Sequence, residues 1–105
     1  IDLSLVRATL MNLEALAHFR RGRRDLAASI LEQAIAVAPH AGDAVYNLAC
    51  LHALMGQTDR AKAELQIALS IDRVRFRSLA LDDGDLESLR EDPEVRRWLG
   101  MKEED

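Results

Sequence analysis

The sequence predicts an all-α chain: stacked helical hairpins followed by C-terminal capping helices. Three observations lead there. Alanine and leucine supply 33 of the 105 residues while aromatics make up 4%, a mixture that suits helices packed through small side chains better than sheets, which draw on β-branched and aromatic residues. All five glycines and both prolines (Gly22, Pro39, Gly42, Gly56, Gly84, Pro93 and Gly100) punctuate stretches whose apolar residues recur three and four apart, the helical period. Finally, the first half lies on the second when shifted by 34 residues, and self-similarity at such a period is the mark of a stacked helical repeat.

The elements follow in order. Residues 4–21 carry Leu5, Leu10, Leu13, Leu16, Ala17 and Phe19; residues 25–38 carry Leu26, Ile30, Leu31, Ala34, Ile35 and Val37. Residues 43–55 carry Val45, Leu48, Ala49, Leu51 and Leu54, and residues 58–71 carry Ala61, Leu65, Ala68, Leu69 and Ile71. Four helices joined by only a few residues must pack as antiparallel neighbours. Beyond them, residues 74–81, 85–91 and 93–99 read as three short helical pieces, the last started by Asp92 as N-cap and Pro93 in the first turn. Leu86 with Leu89, and Val95 with Trp98 and Leu99, form two further apolar faces.

The 34-residue shift gives seven identities: Ala15/Ala49, His18/His52, Gly22/Gly56, Asp25/Asp59, Ala27/Ala61, Leu31/Leu65 and Ala34/Ala68. Their kinds are informative. Gly22 and Gly56 are placed to end the first helix of each hairpin in a left-handed conformation. The paired alanines let helix axes approach, and Leu31 and Leu65 fill the space beside them. Residues 42–75, through Tyr46, Asn47, Leu48, Ala49, Gly56, Ala61, Leu65, Ala68 and Leu69, resemble a tetratricopeptide repeat, and residues 8–41 resemble a second copy through Ala15, Gly22, Ala27, Leu31, Ala34 and Pro39. The first copy departs from the pattern at Glu14, where the family has leucine; Arg24 and Thr58 stand where an aromatic is usual. Residues 76–105 resemble the terminal segment that follows the last repeat in many bacterial members, and the whole chain reads as one domain. The resemblance implies a short right-handed α–α superhelix whose last repeat needs a cover for its apolar face.

Composition bounds the function. With 49% hydrophobic residues the chain has one modest core; no run of 18 apolar residues exists to span a membrane, and a single cysteine excludes an internal disulfide framework and a multi-cysteine zinc site. The net charge of −4 argues against a general nucleic-acid binder. The chain begins at Ile1 without a basic stretch and long apolar run, and is read as a piece of a larger protein or a processed product. Cytoplasmic residence is expected, with export of a longer parent left open.

No catalytic constellation emerges: no serine is flanked by an elbow of glycines, no glycine loop cradles phosphate, and no nucleophile has a base. An enzyme is not expected, and neither is a cofactor. Cys50 and His52, two apart on a helix, point to different faces and do not make a metal site. Asp82, Asp83, Asp85 and Glu87 bracket Gly84, but a calcium loop counted from Asp82 would need a glutamate where Pro93 stands; helix capping explains the carboxylates. His18 and His52, as repeat equivalents, are expected to share one structural cause.

The resemblance maps a concave surface onto the first helix of each pair. Its candidate partner-binding residues are Asn12, Leu16, Phe19 and Arg20 in the first copy and Tyr46, Asn47, Cys50 and Leu54 in the second, with Arg77 at the far rim. They combine apolar contacts with amides able to hold a peptide backbone, and they equally suit packing against the protein's own flanking segments. The implied role is a non-catalytic protein–protein interaction module. An alternative is homo-oligomerisation around Leu3, Leu5 and Leu10, or service as the end cap of a longer repeat protein. A third reading is anion or nucleic-acid binding through Arg20, Arg21, Arg23 and Arg24, a cluster that also fits a solvated turn favouring the negative end of the first helix.

Overall fold

A computed structural model describes residues 1–102, so Glu103, Glu104 and Asp105, the acidic end of the terminal segment 76–105, lie outside the described residues. The α-helices among the described residues are α1 (Leu3–Arg20), α2 (Arg24–Val37), α3 (Gly42–Leu54), α4 (Thr58–Ile71), α5 (Arg73–Asp82) and α6 (Pro93–Trp98), with 3₁₀ turns at Gly84–Leu86 and Leu89–Glu91. Among the described residues there is no strand, and no helix is long and apolar enough to cross a membrane.

Both hairpins are made the same way. Gly22 and Gly56 take φ of 78° and 76°, a region open to glycine without a Cβ clash. In the first turn, the Gly22 N–H donates to Phe19 O and the Arg23 N–H to His18 O; in the second, Gly56 donates to Ala53 O and Gln57 to His52 O. These bonds satisfy carbonyls that the end of the helix would otherwise leave open. The next helix then starts with an acidic residue in its first turn, Asp25 in α2 and Asp59 in α4, where the helix dipole favours it.

Packing follows from the small residues. Ala15, Ala27 and Ala34 and their equivalents Ala49, Ala61 and Ala68 are each at most 1% exposed, and Leu31 and Leu65 fill the gaps at 0%. Full burial of each leucine stabilises by about 1.5–3 kcal/mol. Helix α3 is shared by two cores: Ala44, Leu48 and Leu51 face the first hairpin, while Val45, Ala49 and Ala53 face α4 and the C-terminal elements. Phe76 and Ala80 of α5, Leu86 and Leu89 of the 3₁₀ turns, and Val95 and Leu99 at α6 join that second core, all at 1% exposure or less.

Helix α5 begins at Arg73, within the stretch assigned by sequence to the second repeat. Phe76 stands 34 residues after Gly42 and Ala80 34 after Tyr46, so α5 takes the place that a third first-helix would occupy. The approach is close: a Cβ on Gly42 would lie 2.7 and 2.9 Å from Phe76 ring carbons. Residues 85–91, expected as one helical piece, form the two 3₁₀ turns instead. Leu86 and Leu89 are three apart, a spacing that serves a three-residue turn as well as an α-helix.

Candidate functional site

The inner layer is formed by α1, α3 and α5. Between α1 and α3, Asn47 Nδ2 donates to Asn12 Oδ1 at 2.9 Å. Asn12 is 9% exposed, and the bond engages one group of each amide, leaving Asn12 Nδ2 and Asn47 Oδ1 for other partners. Leu16 and Phe19 are half-buried on α1, Arg20 is exposed and Leu54 is half-buried at the end of α3. The Arg24 guanidinium lies 5.9 Å from the Phe19 ring centre, a cation–π contact that holds one arginine of the cluster against the groove wall.

Three expected groove residues are engaged by contacts within the chain. Tyr46 and Cys50 are only 5% and 6% exposed. The Tyr46 hydroxyl donates to Asp83 Oδ2 at 2.8 Å, its ring stacks on Phe76 at 5.3 Å, and the Cys50 thiol donates to the same Asp83 oxygen at 3.6 Å. Arg77 Nε donates to Leu99 O at 2.8 Å and so ties α5 to the end of α6. The correction has one physical reason: the C-terminal segment seats itself on the inner face of α3, so the residues predicted for an external partner serve an internal one.

Sequence reasoning missed the centre of this seat, Asp83. Read as a cap, it is one, since its Oδ1 accepts the Asp85 N–H at 3.0 Å; its other oxygen joins the segment to α3. Arg90 completes the closure by donating to the carbonyls of Ala80 and Asp83, both at 2.7 Å. The available signal was the 34-residue register, which sets α5 beside α3.

Burial pushes the Tyr46 hydroxyl and the Cys50 thiol far above their ordinary values, and the negative charge beside them adds to the effect. Burial, with the neighbouring Asp83, also raises the Asp85 carboxyl, against the pull of Arg24. Cys50, Asp83 and Asp85 each bring one potential ligand atom within 4.8 Å of the others. Hydrogen bonding to Asp83 accounts for the grouping of Tyr46 and Cys50, and burial keeps the thiol protonated. His52 turns away from it: its Nδ1 meets the Glu64 carboxylate at 2.6 Å.

The described residues leave hollows on the inner side. One, of about 290 Å³, lies at the start of the helices and is bordered by Thr9, Asn12, His40, Asp43, Arg75 and Phe76. A notch of about 40 Å³ is bordered by Leu16, Phe19, Asn47, Cys50 and Asp85. The first is polar, with Arg75 bonded to Asp43 at 2.7 Å; the second has an apolar floor and one acidic edge.

The tetratricopeptide repeat family model matches residues 18–81, from the last turn of α1 to the last turn of α5. The chain belongs to the tetratricopeptide repeat family. No curated protein and no solved structure matches it, so the assignment rests on the family model together with the two hairpins. Tetratricopeptide repeats generally mediate protein–protein interaction and are typically non-catalytic. In this tetratricopeptide repeat protein the inner surface left open belongs mainly to α1 and to the edge of α3 at Asn47.

Proposed function

We propose that the chain is a non-catalytic interaction module that takes an extended peptide segment of a protein partner along the inner face of α1. The observation that supports this reading is that Thr9 and Asn12 border one hollow and Leu16, Phe19 and Asn47 the other, with the Asn47–Asn12 bond between them. The peptide crosses the polar hollow with its backbone and sets one small apolar side chain in the notch. A basic residue next to that side chain meets Asp85. On this reading residues 76–105 are an internal cap that narrows the groove, and no reaction is catalysed.

Selection from a random peptide library, followed by titration of the chosen peptides by calorimetry, tests it. Phe19→Ser, Asn47→Ala and Arg20→Glu are each expected to lower affinity several-fold with the helical circular dichroism unchanged, a loss of about 1–2 kcal/mol for a residue at the centre of a small interface. Peptides that bind all three variants as well as the parent would refute the groove assignment.

A further inference from the structure

Helix α1 carries a second, outward-facing surface. Leu3, Val6, Leu10 and Leu13 are 74%, 48%, 62% and 58% exposed, and Ala17 is exposed in line with them. The spacing of three and four makes a straight apolar seam of the kind that pairs helices. On α3 and its N-cap, the positions 34 residues later than Arg7, Leu10, Glu14 and Ala17 are Ala41, Ala44, Leu48 and Leu51, at most 7% exposed and packed against the first hairpin. A further repeat stacked before α1 in that same manner would bury Arg7 and Glu14. Taking a charge out of water without a matched partner is costly, so the seam calls for a neighbour that brings complementary charges to its edge.

A second copy brings them. Arg7 and Glu14 lie two turns apart on one edge of the seam, and their midpoint falls between residues 10 and 11, at the middle of the apolar row. In an antiparallel pair with its twofold axis there, each Arg7 lies beside the Glu14 of the other copy. Asp2 and Arg20, on the opposite edge, have their midpoint at residue 11 and are complementary about the same axis. Among the described residues Arg7 and Arg20 have no carboxylate within 4 Å, so both cations are available to it.

We infer that the chain forms an antiparallel homodimer through the outer face of α1, with Leu10 at its centre and reciprocal Arg7–Glu14 pairs along its edge. The interface is centred on a different face of α1 from the inner groove, and the two surfaces share Arg20 at the edge between them. Helix α1 is about 27 Å long, so the contact is at the small end of specific interfaces, with a dissociation constant on the order of tens of micromolar.

Sedimentation equilibrium from about 5 to about 500 μM tests the dimer. The parent chain is expected to shift from monomer to dimer across the range, and Leu10→Glu to stay monomeric throughout. Arg7→Glu alone and Glu14→Arg alone are each expected to weaken association by about threefold to tenfold, and the double exchange Arg7→Glu/Glu14→Arg to restore it. All three positions are exposed, so melting temperatures of dilute samples verify that the fold is intact. A parent chain that is monomeric at every concentration overturns the inference. A dimer indifferent to Leu10→Glu, or a double exchange as weak as the single ones, overturns it too.

Discussion

Two histidines that occupy the same place in the repeat lead different lives. His18 and His52 each offer a main-chain carbonyl to the turn after a glycine, at 3.0 and 2.8 Å, a task that any residue type performs, so it does not supply the single cause expected for the two histidines. Their side chains diverge. His52 is 3% exposed and meets Glu64, whereas position 30, the equivalent of 64, is isoleucine, and the buried His18 Nδ1 has no partner among the described residues. Tyr46 teaches the same lesson at larger cost. Its place on the inner row was legible, but not what would cover it, because the covering residue, Asp83, lies 37 positions away in a stretch that keeps the repeat's register without its residue types. Tyr46→Ala is therefore expected to lose about 3–5 kcal/mol of stability, as large buried aromatics do, while Tyr46→Phe keeps the stacking on Phe76 and loses about 1–2 kcal/mol; chemical denaturation of the pair measures the difference. Cys50, buried and held as a thiol, is expected to react with a chromogenic disulfide at neutral pH only after denaturant is added. Prompt reaction in the native state would contradict its burial.

Helix limits in the first 71 residues were readable to within about two residues because glycine turns and a proline stop set them. The later stretch was harder, since Leu86 and Leu89 serve two kinds of helix equally, and only the bonds from Arg90 to α5 decide between them. Contacts between helices make the sharper predictions. Ala61 is fully buried where α4 meets α3, and Ala61→Leu is expected to overpack that crossing and lower stability by about 1–3 kcal/mol. A neutral result would mean that the two axes do not approach there. Gly42 is a subtler case: its φ is ordinary, but an added methyl would press on the Phe76 ring, which is itself wedged against Tyr46. Gly42→Ala should loosen α5, with a loss of about 1–3 kcal/mol in chemical denaturation.

For the molecule as a whole, the open question from sequence was which side of the second hairpin would stay free, and repeat patterns alone do not answer it because they describe a unit and not its last neighbour. The bonds that hold the final segment include Asp83 to Tyr46, Arg77 to Leu99, and Lys62 to Asp92 and Glu94, the last two at 3.0 Å. The Lys62 bond, with help from the Val95 and Glu94 amides, holds the Asp92 carboxyl below its ordinary value. A depressed carboxyl contributes stability that is present above its unfolded value, near 3.8, and lost as pH falls through the folded one. Melting temperatures between about pH 2 and pH 6 should therefore decline toward acid less steeply in Asp92→Asn, which keeps a capping side chain and discards the charge.

The 3₁₀ turns also set an order of events. Each spans three residues and hands its hydrogen bonds to near neighbours, so nothing within it propagates cooperatively as in a long helix. On warming, the seat around Asp83 should let go while both hairpins still stand, and deuterium should reach the amides of residues 84–99 well before those of α3. For a short interval the molecule would then display Tyr46 and Cys50 on a face that its resting form conceals.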